Sequence, residues 1–119
     1  MRDFHDLKVW AKAHQLVLAI YKVSAGFPQS EIYALTNQAR RAAVSIASNI
    51  AEGCGRNTEP EFARFLQIAM GSASEVQYHL LLAHDLGFLN NQESQQLESD
   101  VTEVKRMLTA LIQKLTAES

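Results

Sequence analysis

The side chains with chemical capacity here are four histidines, one cysteine, and a run of arginine, serine, asparagine and glutamate in the middle of the chain. A di-iron helical bundle needs Glu-x-x-His on two helices and two further glutamates, and Glu-x-x-His does not occur. His5, His14, His79 and His84 are scattered, so each reads as a surface or boundary residue rather than a metal ligand, and no cofactor is expected. Cys54 lies in a Gly-Cys-Gly turn with no histidine near it in sequence, and no serine has the glycine-elbow setting of a hydrolase nucleophile. An arginine followed four to six residues later by histidine on one helix, as helical ribonucleases carry, is also missing. The turn with Arg56 and Asn57 offers glycine amides and a helix N-terminus to an anion, but without phosphate-loop spacing. These absences point to a binding module and not to an enzyme.

A more coherent pattern is a polar line at helical spacing. Arg41, Ser45, Ser48 and Glu52 fall on one face, with Asn49 at its edge, and Arg64, Ile68, Gly71, Glu75 and His79 fall on another. The plainer reading is two solvated faces with i,i+4 pairs such as Glu75 with His79. The sharper one is a polar network where helices or subunits meet, in which Arg41 bonds a carboxylate and the Asn49 amide is held by backbone or by the following helix.

Four periodic segments must position these residues. The first runs from about residue 6 to 25 and ends at Gly26-Phe27-Pro28; the second runs from about 32 to 52 and stops in Gly53-Cys54-Gly55, whose glycines can close a helix. Thr58 is a start signal for the third, with Glu61 as capping-box partner and Pro60 in the first turn, and Gly87 sits where that helix should end. Asn90, Asn91 and Glu93 open the fourth. The alternating four-three spacing of Leu97, Val101, Val104, Leu108, Leu111 and Leu115 is the seam of a helix bundle. Helix 2 points small residues inward, Ala39, Ala42 and Ala43 among Leu35, Ile46 and Ile50, so a neighbouring backbone can come close. No segment shows the alternation of a strand. Short connections between long helices favour antiparallel neighbours, and the expectation is an all-α, up-down-up-down four-helix bundle occupying residues 1–119 as one domain.

Helix 1 carries more apolar surface than one bundle needs. At about 100° per residue, Leu7, Trp10, Ala11, Val17, Leu18 and Tyr21 form one stripe, and Val9, Ala13, Leu16, Ile20 and Val23 form another. The second stripe, with Val44, Ala47 and Ala51 of helix 2 beside its main stripe, is expected to be buried by another copy of the chain. The alternative is that the loop from Gly26 to Glu31 folds over it.

Composition bounds the partners. The 119 residues are 47% apolar and carry a formal charge of −2. Residues 1–64 hold a net +2 and residues 65–119 a net −4, so a nucleic-acid surface would have to be local and lie in the first half. Its candidates are Lys8, Lys12, Arg40, Arg56 and Arg64. The lone cysteine, the lack of a signal-peptide core and the lack of about 20 consecutive apolar residues lead to the expectation of a cytoplasmic protein without a membrane span.

The strings LKVWAKAHQLVLAIY (7–21), FPQSEIYALTNQARRAAVSIASNIAEG (27–53), FARFLQIAMGSASE (62–75) and LGFL (86–89) resemble the four helix bundle protein family, also called the 23S ribosomal RNA intervening-sequence protein family. The resemblance spans nearly the whole chain. It implies kinship with the accessory variability determinant of diversity-generating retroelements, a homopentamer, and an association with RNA or an RNA-associated protein. It also implies that Arg41, Ser45, Asn49, Glu52 and Gly53 on helix 2, with Ser72 and Glu75 on helix 3, are characteristic positions without an assigned role. The expected function is therefore a non-enzymatic, pentameric scaffold or binding protein. The rival is a purely structural oligomer or a small-molecule binder with a polar pocket between helices.

Overall fold

The computed structural model describes residues 2–117. Four helices make the fold: α1 (Lys8–Ser24), α2 (Leu35–Cys54), α3 (Glu59–Asp85) and α4 (Asn91–Thr116), with 3-10 turns at Phe4–Asp6 and Gln29–Glu31. No strand occurs among the described residues. The helices pack as a closed square, α1 on α2, α2 on α3, α3 on α4 and α4 back on α1, in a body of 46 × 23 × 20 Å.

Local chemistry explains where the helices begin and end. Thr58 Oγ1 accepts from the Glu61 backbone N–H at 3.3 Å, and Pro60 sits in the first turn. The Glu61 carboxylate does not close a box with Thr58; it takes Arg64 instead. Asn90 and Glu93 do form a reciprocal box, at 2.8 and 3.1 Å. Gly87 has a φ of 82°, the left-handed conformation that ends α3. The 53–55 turn works differently from the expectation. Gly53 is helical and buried, and its missing side chain serves contact: a Cβ there would stand 2.9 Å from Phe65 Cβ and 3.0 Å from Phe62 Cδ1. The start of α2 falls at Leu35, since residues 29–34 form a 3-10 turn and a loop.

The core lies along the square's axis. Phe62, Leu66 and Val76 of α3 meet Ile46 and Ile50 of α2 and Val101, Val104 and Leu108 of α4, all buried. One expectation is corrected here. Val9, Ala13, Leu16 and Ile20 of α1 are buried inside the chain's own bundle, and Val23 packs against the same core, so this stripe is not a surface left for another copy. The other stripe divides: Val17 is buried, Leu7 and Trp10 are half-buried, and Leu18 and Tyr21 are exposed.

Candidate functional site

The small residues of α2 bring α3 close enough for their hydroxyls to touch. Ser45 Oγ and Ser72 Oγ are 2.8 Å apart. Asn49 Nδ2 donates to the Ser45 carbonyl at 2.8 Å and to Ser45 Oγ at 3.0 Å, so its partner lies on its own helix. Gly53 continues the seam by letting Phe62 and Phe65 lie against the α2 backbone. The sequence pattern thus assembles Ser45, Asn49, Gly53 and Ser72 into a structural seam. Arg41 and Glu75 do not join it. Arg41 is exposed and makes no hydrogen bond, ion pair or ring contact among the described residues, so the expected bond from Arg41 to a carboxylate is not formed within the chain. Glu52 pairs with Arg56 at 3.4 Å, and Glu75 lies 3.5 Å from His79 Nε2.

His79 is only 5% exposed and its Nδ1 has no partner. Burial lowers its pKa below the usual histidine value, opposed by the nearby Glu75 carboxylate, because a charge is costly to desolvate. The ring is therefore held neutral around pH 7. Cys54 is also buried, and burial raises its thiol pKa, which keeps it protonated and a poor nucleophile. Its carbonyl accepts from the Arg2 backbone N–H at 2.9 Å, which ties the start of the chain to the end of α2. Among the described residues no group of three or more His, Cys, Asp or Glu is placed to hold a metal.

The five basic residues expected to meet nucleic acid are not brought together. Arg40 turns inward over the Tyr21 ring at 4.7 Å, and its Nε donates to Ser24 Oγ at 2.8 Å. Arg56 and Arg64 both stand over the Phe65 ring at 4.6 Å, and each is paired, with Glu52 and with Glu61. Lys8 and Lys12 are exposed on α1; Lys12 adjoins the α4 carboxylates and helps lower the pKa of Glu103, whose main cause is its bond to Arg106. The sequence reading missed Arg2, which covers the Phe62 ring at 4.5 Å and pairs with Glu59 at 2.7 Å. Three arginines thus gather at one end of the bundle, and carboxylates on the first turn of α3 and the last of α2 neutralise them.

A groove of about 370 Å³ opens on the outer side of α1 and α2. Phe4, Trp10, His14 and Val17 line one wall, and Val44 and Ala51 the other. Trp10 and His14 are stacked with ring centroids 5.2 Å apart, and Phe4 leans on Trp10 at 4.7 Å, so the wall is a run of packed rings. Leu18, at 57% exposure, and Tyr21 extend this apolar surface along α1. No helix among the described residues is long and apolar enough to cross a membrane.

Comparison with known proteins turns on the seam and the four helices that carry it. Residues 5–110 match the 23S rRNA-intervening sequence protein family, a span that takes in α1, α2 and α3 whole, α4 as far as residue 110, and all seven characteristic positions. The chain belongs to that family. A solved structure of a protein of unknown function from the S23 ribosomal protein family of Bacteroides thetaiotaomicron has the same fold, with a TM-score of 0.82. It is 23% identical in sequence over 88% of this chain and 95% of that one. No curated protein matches the chain. Neither description names an enzymatic activity.

Proposed function

We propose that this chain is a non-enzymatic, cytoplasmic scaffold that assembles into a homo-oligomer of five copies and binds RNA or an RNA-associated protein. The observation that carries the reading is the apolar outer face of α1 and α2. The bundle already buries a full core, yet it leaves Trp10, Leu18, Tyr21 and Val44 on one side together with a preformed groove. Contiguous apolar surface of this kind marks a site of association. The RNA half of the proposal draws on the family description and on the aromatic-backed arginines Arg2, Arg56 and Arg64 at one end of each copy, which an oligomer would repeat around its axis. Their carboxylate partners make the expected affinity weak, and they favour the rival of a purely structural oligomer should RNA fail to bind.

Light scattering at micromolar concentration tests the first half: a mass of one chain would end the scaffold reading. A titration of structured ribosomal RNA at low salt tests the second. The expected outcome is a shift at tens of micromolar protein that disappears with added salt, because phosphate contacts release counterions. Loss of the shift in Arg56→Glu with Arg64→Glu places it at this end of the bundle. No shift at all leaves a scaffold for an RNA-associated protein, or the purely structural oligomer.

A further inference from the structure

The most exposed large apolar side chain in the described structure is Tyr33, at 92%, in the loop that follows the Gln29–Glu31 turn. It makes no hydrogen bond or ring contact among the described residues, and Ile32 beside it is also exposed. An aromatic ring left wholly in water at the tip of a loop contributes nothing to this fold. Tyrosine is, however, among the residues that most often anchor protein interfaces.

The same chain holds a receptor for such an anchor. The groove between α1 and α2 is apolar, walled by the Trp10–His14 stack, and lies away from the tip, towards the start of α1 and the end of α2. Charge agrees across the two surfaces. Residues 29–34 contain one acid, Glu31, and no base. Glu31 Oε1 accepts from the Leu35 backbone N–H at 3.3 Å, which leaves its other oxygen free to accept. One turn before Val44 on the outer face of α2 stands Arg41, exposed and without a partner, whose guanidinium suits a carboxylate.

We propose that copies of this chain join by a heterologous contact in which the Tyr33 tip of one copy seats in the α1–α2 groove of the next and Glu31 of the first pairs with Arg41 of the second. This rests on the homo-oligomeric reading above and specifies its surfaces. Because tip and groove are different patches, each copy donates one and receives one. Repetition then builds a ring where the rotation closes and a filament where it does not, rather than a two-fold pair. The arrangement also gives Arg41 the carboxylate that it lacks within its own chain.

The test is complementation between two full-length variants, Tyr33→Ser, which removes the tip, and Val44→Glu, which blocks the groove. Both positions are exposed, and circular dichroism checks that each variant stays helical. By light scattering at tens of micromolar, wild type should exceed the mass of one chain and each variant alone should fall to it. Their equimolar mixture should give a species of two chains, since one variant keeps a tip and the other a groove. Arg41→Glu should weaken assembly at least about tenfold, and adding Glu31→Lys to the same chain should restore it. A wild-type mass for either variant, or a mixture that stays at one chain, would overturn the contact while leaving self-association standing. A wild type of one chain's mass would overturn both.

Discussion

The two flanks of α2 are built on opposite principles. Towards α3, small residues let the helices touch, and the polar side chains at the closest approach pair with one another: Ser45 with Ser72, Asn49 with Ser45. Towards α1, past the buried Ala47, the surface opens into a groove walled by aromatic rings and left unfilled. The first flank spends its special residues on holding one chain together. The second keeps apolar area in water, which a stable monomer has no reason to do. Residues that look most like a functional signature, Ser45, Asn49, Gly53 and Ser72, therefore belong to architecture, while ordinary apolar residues carry the outward-facing potential.

If that contrast is right, substitutions on the α3 flank should cost stability and those on the α1 flank should not. The largest effect is expected for Phe62→Ala, which empties a fully buried site against Gly53 and should destabilise by about 3–5 kcal/mol in urea unfolding. Gly53→Val comes next. Its added atoms meet Phe65 and Phe62 at contact-breaking distance, and overpacking of this kind costs about 1–3 kcal/mol. A midpoint unchanged from wild type would show that α2 and α3 can part without penalty and that the seam is not what holds them.

Asn49→Leu should lower stability by about 1 kcal/mol, because it removes the bonds to Ser45 and leaves that hydroxyl with Ser72 alone. His79 sharpens the comparison through pH. Its folded pKa lies below its unfolded value, so the unfolded chain takes up the proton first. The histidine's stability contribution is complete above the unfolded pKa, near 6.5, and declines as pH falls through that value towards the folded one. Denaturation midpoints between pH 7.5 and 5.5 should drop in wild type and drop less in His79→Leu; parallel curves would place the ring in water. The smallest effect belongs to the other flank. Val44→Ser, at an exposed position, should leave the stability of the monomer within about 0.5 kcal/mol of wild type.

Much of the fold was legible in the residues because its signals are local. Thr58, the Asn90–Glu93 box and Gly87 act over three or four residues, and periodicity in α3 and α4 marks the buried side directly. Near the end of α4 the pattern slipped by one: Ile112 is buried and Leu111 only half-buried, a drift expected when a strict heptad is laid on a straight helix. Helical spacing put Ser45 and Asn49 on neighbouring lines of α2, and Ser72 was added only by the family resemblance. Neither showed that Asn49 would turn back to its own helix or that Arg41 would be left out.

What the sequence determined alone is the number of helices, the starts at Thr58 and Asn90, the stop at Gly87 and the polar line on α2, since each follows from contacts within a turn or two of chain. Tertiary structure alone decided which stripe of α1 faces inward. Both stripes are apolar, and the choice of Val9, Ala13, Leu16 and Ile20 came from where α2 and α4 stand on either side of α1. It likewise decided the fate of charge. Arg40 was spent on Tyr21 and Ser24, and Arg2 on Glu59, 57 residues away, partners that no local pattern announces because they meet only when the square of helices closes.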